Sequence, residues 1–182
     1  KAFVIARDEI ENLILVLTPR FIQSVPFIKS LLMKRGVAFI ARTELNDRPR
    51  KTEPVILVDT IGELVDMYTI ADVAFVGGSL VYLGDMFGGH NILEPAAAES
   101  PILFGPYMHN FQNIADVFME SNAALQVSNT EELASSVTKL IRKPSEAGAM
   151  VSKALDICRE NEKVAAKTFL FVDDKLKQLR YN

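Results

Sequence analysis

Residues 73–99 read VAFVGGSLVYLGDMFGGHNILEPAAAE. A short apolar run, Val73 to Val76, ends at Gly77-Gly78 and Ser79. A second pair, Gly88-Gly89, precedes His90 and Asn91, and a run rich in Ala, Leu and Glu then favours helix. Strand, glycine loop and helix N-terminus together form a common plan for holding a phosphate or another anion. Glycine lets the backbone approach a ligand closely and adopt positive φ. The first helical turn adds free N–H groups at the positive end of the helix dipole. The alternative is an ordinary strand-to-helix turn with no ligand, because a glycine-rich loop alone is weak evidence.

The same alternation extends on both sides. Leu13 to Thr18, LILVLT, is a continuous apolar run ended by Pro19, as in a buried parallel strand. Val25 to Lys34 has helical spacing, with Gly36 as C-cap. Val37 to Ala41 reads as a second strand. Residues 42–54 are polar, contain Pro49 and Pro54, and read as a surface loop. Val55 to Val58 is a third strand; Asp59 and Thr60 then offer N-caps for a helix from Gly62 to Ala71. Val73 to Val76 is the fourth strand, followed after the glycine loop by a helix over Asn91 to Glu99. Pro101 to Phe104 is the fifth strand, Phe111 to Met119 a helix and Ala124 to Val127 a sixth strand. Thr130 caps a helix to Ile141, with Glu131 and Glu132 at its positive end. Residues 145–160 and 161–180 read as two helices or one bent helix, and residues 2–11 as either helix or strand. The pattern predicts an α/β fold: one doubly wound, parallel, six-stranded Rossmann-like sheet with C-terminal helices.

The bulk properties agree with a single domain over residues 1–182. The chain is 49% hydrophobic and 24% charged, as in soluble globular proteins. Its net charge of -3 argues against a nucleic-acid partner but permits a local basic pocket. The single cysteine, Cys158, allows no internal disulfide and reads as a small buried apolar residue. No apolar run reaches the roughly 18 residues of a membrane span, and no signal peptide is evident. The opening at Lys1, without methionine, reads as the start of a fragment.

In a parallel sheet the loops that follow strands share one edge, where ligands bind. Here those loops carry Pro19-Arg20, then Asp59 to Glu63, then the glycine loop with Gly78, Ser79, Gly89, His90, Asn91 and Glu94, then Phe104 to Asn110. Arg20 is suited to pair with a phosphate, or it is simply solvated. Glu94, in the first turn of its helix, is placed either to accept hydrogen bonds from a ribose diol or only to complement the helix dipole. His90 is a ligand contact or a residue that completes the turn, and His109 reads as structural or exposed. Other chemistries are unsupported. The glycine spacing is neither a P-loop nor a G-x-G-x-x-G fingerprint. The two histidines and one cysteine have no zinc spacing, and there is no G-x-S-x-G elbow.

Three motifs occur together: D-T-x-G-E-L at 59–64, A-D-x-A-F-V-G-G-S at 71–79 and G-G-H-N-x-L-E-P at 88–95. With Gly105-Pro106 and Asn110-Phe111 they make residues 55–127 resemble the C-terminal half of the 3-deoxy-D-manno-octulosonic acid (Kdo) transferases. The resemblance implies one half of a two-domain GT-B glycosyltransferase that uses no metal and no cofactor. Such an enzyme moves Kdo from CMP-Kdo to a lipid A precursor in lipopolysaccharide synthesis. It would work at the cytoplasmic face of the bacterial inner membrane. The acceptor site, the membrane contact and the catalytic base would lie in an N-terminal domain absent from this chain. The chain alone is expected to be soluble and to bind CMP without turnover. By motif, Pro19 and Arg20 resemble the family's Pro-Arg pair, which contacts CMP. Ile61, Gly62 and Glu63 match its hydrophobic-Gly-Glu segment. Asn91, Ile92, Leu93 and Glu94 match its helix-terminus segment, with Gly78, Ser79, Gly89 and His90 as further candidates. Two features depart from the family. Arg20 runs directly into Phe21 where the family has His-Pro-Glu-Arg, and the loop from Val81 to Gly89 is longer. Alternatives are a GT-B donor domain for a UDP-sugar, or a non-catalytic nucleotide-binding domain.

Overall fold

The computed structural model describes residues 1–84 and 88–161. The chain opens with α1 (Ala2–Glu9), so the undecided first segment is a helix. Then follow β1 (Leu15–Leu17), α2 (Val25–Lys34), β2 (Phe39–Ala41), β3 (Val55–Leu57), α3 (Leu64–Thr69) and β4 (Ala74–Val76). The second half holds α4 (Leu93–Ala97), β5 (Ile102–Phe104), α5 (Gln112–Glu120), β6 (Leu125–Gln126) and α6 (Thr130–Arg142). A further helix occupies 144–161. The expected helix over 161–180 lies, beyond Asn161, outside the described residues, as do residues 85–87 of the long loop.

Every strand pair is parallel. The described ladders are two sheets of three strands, ordered β1-β3-β2 and β4-β5-β6, where the sequence pattern predicted one sheet of six. In the first, Leu15, Val55 and Phe39 lie level; in the second, Ala74 pairs with Ile102 and Leu103 with Leu125. β5 is buried along its whole length. Its side chains alternate between faces. Ile102 and Phe104 join a core with Ile92, Ala96, Ala115 and Phe118, whereas Leu103 joins a second core with Val127, Leu140 and Met150. Helices therefore cover both faces of this ladder, which is why β5 is apolar throughout instead of alternating. Cys158 flanks the first core, half-buried.

Several helix ends differ from the sequence reading, each for a local reason. Gly36 does end α2: it takes φ 64°, and Val37 N–H donates to the Leu32 carbonyl at 3.0 Å. Asp59 and Thr60 do not cap α3. The Asp59 carboxylate is spent on Thr43, and Gly62 at φ 93° lies outside the helix. α4 is shorter than predicted because Glu99 turns into the left-handed region at φ 59°, and Ser100 N–H closes back on the Pro95 carbonyl at 3.0 Å. The cap of α6 is Asn129, not Thr130. Asn129 Oδ1 accepts from Glu132 N–H at 2.8 Å, and the Glu132 carboxylate reaches back to Ser128 N–H at 2.7 Å. Between the two halves, Arg142 of α6 donates to the Glu9 carbonyl and carboxylate at the end of α1.

Candidate nucleotide-binding site

All strands of a ladder being parallel, the turns after β1, β3, β4 and β5 leave from C-terminal strand ends, as the sequence pattern requires. The glycine loop after β4 is held against the turn after β5 by Ser79. Its side chain is fully buried. Ser79 Oγ–H donates to the Val76 carbonyl at 2.6 Å, and Gly105 N–H donates to Oγ at 2.8 Å. Tyr107 N–H donates to the Ser79 carbonyl at 2.9 Å. A Cβ at Gly105 would lie 2.2 Å from Ser79 O, so only glycine permits the two loops to touch. The Ser79 hydroxyl is thus engaged within the fold as both donor and acceptor.

The rest of the loop folds back on itself. Gly89 N–H donates to the Gly78 carbonyl at 3.0 Å, which closes the long excursion between the two glycine pairs. A Cβ at Gly78 would lie 3.4 Å from the His90 ring, and Gly78 has φ 73°. Gly89 packs on Met108, and a Cβ at Gly88 would lie 2.7 Å from the backbone nitrogen of His109. His90 thereby sits half-buried over Gly77-Gly78. Burial lowers its pKa, and the positive charge of Arg20 lowers it further. The turn after β1 and the glycine loop therefore meet electrostatically. Arg20 is exposed and has no carboxylate within ion-pair distance among the described residues. Pro19 before it is half-buried.

Asn91 caps the start of α4. Its Oδ1 accepts from Leu93 N–H at 3.0 Å, and its Nδ2 donates to Glu94 Oε1 at 3.3 Å. The second Glu94 oxygen has no hydrogen-bond partner among the described residues. Glu94 faces α3: together with burial, its charge raises the pKa of Tyr68. Ile92 is fully buried in the core, so only its backbone can meet a ligand; Leu93 packs on the flank of the same core.

The turn after β3 is fixed from the neighbouring strand. Arg42, the residue after β2, pairs with Glu63 Oε1 at 3.1 Å and donates to Asn46 Oδ1 at 3.0 Å. Thr60 Oγ1 donates to the other Glu63 oxygen. Thr43 gives Asp59 two hydrogen bonds, at 2.9 and 2.8 Å, and Lys29 lies 3.7 Å away. Burial works to raise the Asp59 pKa, but the Thr43 bonds and Lys29 outweigh it and hold the carboxyl below its ordinary value. Glu63 thus offers a ligand its backbone, its carboxylate being spoken for, and the Gly62 turn leaves Ile61 84% exposed. Sequence reasoning missed Arg42 and Thr43 because they sit in a segment whose charge and prolines read as solvent-facing loop. No local pattern signals contacts sixteen residues away. It also gave no hint that Tyr82, Tyr107 and His109 form one ring cluster, with centroids 5.5–6.1 Å apart.

None of these residues lines a cavity of about 710 Å³ elsewhere in the domain. That cleft lies among α1 and the approaches to β2 and β3, at Arg7, Asp8, Gly36 and Pro54, away from the loops that follow strands. Among the described residues no helix is long and apolar enough to cross a membrane.

A parallel α/β domain with helices on both faces of a ladder has the architecture of one half of a GT-B glycosyltransferase. No protein-family model matches the chain. A 3-deoxy-D-manno-octulosonic acid transferase of Haemophilus influenzae is 41% identical over 121 residues, which are 66% of this chain and 27% of that protein. The Chlamydia trachomatis serovar D transferase of the same description is 31% identical over 151 residues, 83% of this chain and 34% of that protein. A bifunctional glycosyltransferase/methyltransferase of Fusobacterium nucleatum is 34% identical over 129 residues, 70% of this chain and 20% of that protein. The chain thus spans between a fifth and about a third of these relatives. Among solved structures, the C-terminal CMP-Kdo binding domain of WaaA from Acinetobacter baumannii superposes with TM-score 0.77 at 27% identity, over 86% of this chain and 79% of that one. By sequence and by fold, the chain is a C-terminal domain of the Kdo transferase family.

Proposed function

We propose that this chain is the donor domain of a Kdo transferase and holds CMP-Kdo through its nucleotide. The observation that carries the reading is the nearness of two turns at C-terminal strand ends: Arg20, after β1, lies close enough to His90 in the glycine loop to act on its charge, while Glu94 of α4 faces Tyr68 of α3. The base would lie by the exposed turn at Ile61, Gly62 and Glu63, which offers backbone groups. Glu94, with one oxygen unpartnered among the described residues, would accept from the ribose hydroxyls. Arg20 and the backbone between Gly89 and Asn91 would hold the phosphate. Pro19 fixes the approach of Arg20, and Gly78 makes room for His90. Ser79 acts by positioning the loop, its hydroxyl being already engaged. The similarity to a solved CMP-Kdo binding domain supports the same ligand.

In the whole protein, the acceptor would be a lipid A precursor held by an N-terminal domain at the inner membrane. A carboxylate there would take the proton of the acceptor hydroxyl. The oxygen would bond to the anomeric carbon as the carbon–phosphate oxygen bond breaks and CMP departs with the electron pair. That single displacement inverts the anomeric centre. Arg20 would stabilise the charge that grows on the departing phosphate. The two three-stranded ladders would then be halves of one sheet joined between β1 and β4, the end strands of each. A crystal structure with β1 and β4 farther apart than the ~4.8 Å strand spacing would rule this out.

Calorimetry of the chain with CMP and with UMP tests the nucleotide. CMP is expected to bind more tightly, and Glu94→Ala to weaken it by about 1–3 kcal/mol through lost charge-assisted hydrogen bonds. Equal binding of the two nucleotides, or an unchanged affinity in Glu94→Ala, would overturn the assignment.

A further inference from the structure

The ring cluster of Tyr82, Tyr107 and His109 takes no part in holding the nucleotide as placed above. Tyr82 and Tyr107 have centroids 5.5 Å apart, and His109 stands 6.0 and 6.1 Å from them. Tyr82 is 51% exposed, between Val81 and Leu83, which are more exposed still. His109 is exposed and Tyr107 half-buried. Exposed apolar side chains gathered on neighbouring strand-end turns mark a binding surface more often than isolated ones do.

The backbone gives this surface its place. From Glu94 the chain runs back through Asn91, His90 and Gly89 to Gly88, and Gly88 rests directly on His109. Tyr107 is tied to Ser79, one residue from Gly78, under His90. With the ribose at Glu94 and the phosphate between His90 and Arg20, as proposed above, the rings come next along the glycine loop, at Gly88. What meets them is whatever is attached to the phosphate on its far side.

From this order we propose that Tyr82, Tyr107 and His109 form the wall that receives the sugar of the donor, a carboxylated pyranose. The inference rests on the nucleotide reading above. A pyranose presents an apolar C–H face to an aromatic surface and hydroxyls at its edge. The tilted rings offer an aromatic surface to the C–H face, and the Tyr107 hydroxyl and His109 imidazole can serve the edge hydroxyls and a carboxylate. A nucleotide without its sugar leaves the wall unused.

The test compares CMP with CMP-Kdo by calorimetry on the 182-residue chain. The unmodified chain should bind CMP-Kdo more tightly than CMP. Tyr82→Ala and His109→Ala should each leave CMP affinity within about 2-fold while weakening CMP-Kdo about 5- to 10-fold, toward the CMP value. Tyr107→Phe, which keeps the ring and its packing, should lose less than Tyr82→Ala. The proposal fails if the variants weaken both ligands equally, if they weaken neither, or if the unmodified chain does not favour CMP-Kdo over CMP. Failure of the unmodified chain to bind CMP at all would instead overturn the nucleotide reading and this inference with it.

Discussion

Replacing Ser79 by alanine removes one oxygen that makes two buried hydrogen bonds. Gly105 N–H loses its acceptor at 2.8 Å, and the Val76 carbonyl loses a donor at 2.6 Å. The site is fully buried and Gly105 packs on the Ser79 backbone, so neither orphaned group can turn to water without parting the two loops. An unsatisfied buried donor costs about 1–3 kcal/mol, and the carbonyl adds less because it has a second lone pair; together the loss is about 2–3 kcal/mol. For a domain of this size each kcal/mol lowers Tm by about 2–4 °C, giving a fall of about 4–12 °C by differential scanning calorimetry. CMP affinity, measured well below the transition, should stay within about 3-fold because the hydroxyl is already engaged within the fold. A Tm shift under about 2 °C, the range of an indifferent surface substitution, would refute the staple. A large loss of CMP affinity at unchanged Tm would make Ser79 a ligand contact.

The other predictions concern the neighbouring turns. Arg42→Met should weaken CMP about 3- to 10-fold with little change in Tm, because the partly exposed pair with Glu63 contributes only about 0–1 kcal/mol to folding but holds the turn proposed to meet the base. Glu63→Gln should give a similar loss and the double variant no further one; additive losses would show that the two act separately. For His90 the folded pKa lies below the ordinary 6.5. The unfolded chain therefore binds the proton first as pH falls, and His90 takes stability away as pH drops from about 6.5 through its folded pKa. A bound phosphate beside it should reverse that depression. Calorimetry in buffers of different ionisation heat should show more proton uptake on CMP binding in the unmodified chain than in His90→Gln; equal uptake would place the phosphate elsewhere.

The solved CMP-Kdo binding domain gives the family likeness its structural counterpart. The likeness covers only part of the relatives, so the acceptor chemistry belongs to the proposal and the donor site is where this chain can be tested. The departure at Arg20-Phe21 matters most. Phe21 is 63% exposed beside a guanidinium that no carboxylate pairs with among the described residues, so Arg20 is the one cation that the turn after β1 would bring to the proposed site.

The sequence by itself determined the alternation of strands and helices, because apolar runs and caps are written locally. LILVLT and PILF read as buried strands and Gly36 as a C-cap; PILF is buried throughout, whereas β1 within LILVLT is only half-buried and Ile14 before it is exposed. It also located the loops of the candidate site, because parallel strands put the turns that follow them at one end of their ladder. The boundaries of α3 and α4 depended on more. Asp59 abandons its cap for Thr43 in the turn that follows β2, a choice between a local and a distant partner that only the packed chain makes. Tertiary structure likewise decided that Ser79 holds two loops together, that Glu63 is clamped by Arg42, and that three rings from two loops stand side by side. These contacts join residues far apart in sequence. Their free energy exists only once the strands are in register, so no window of the sequence carries their signal.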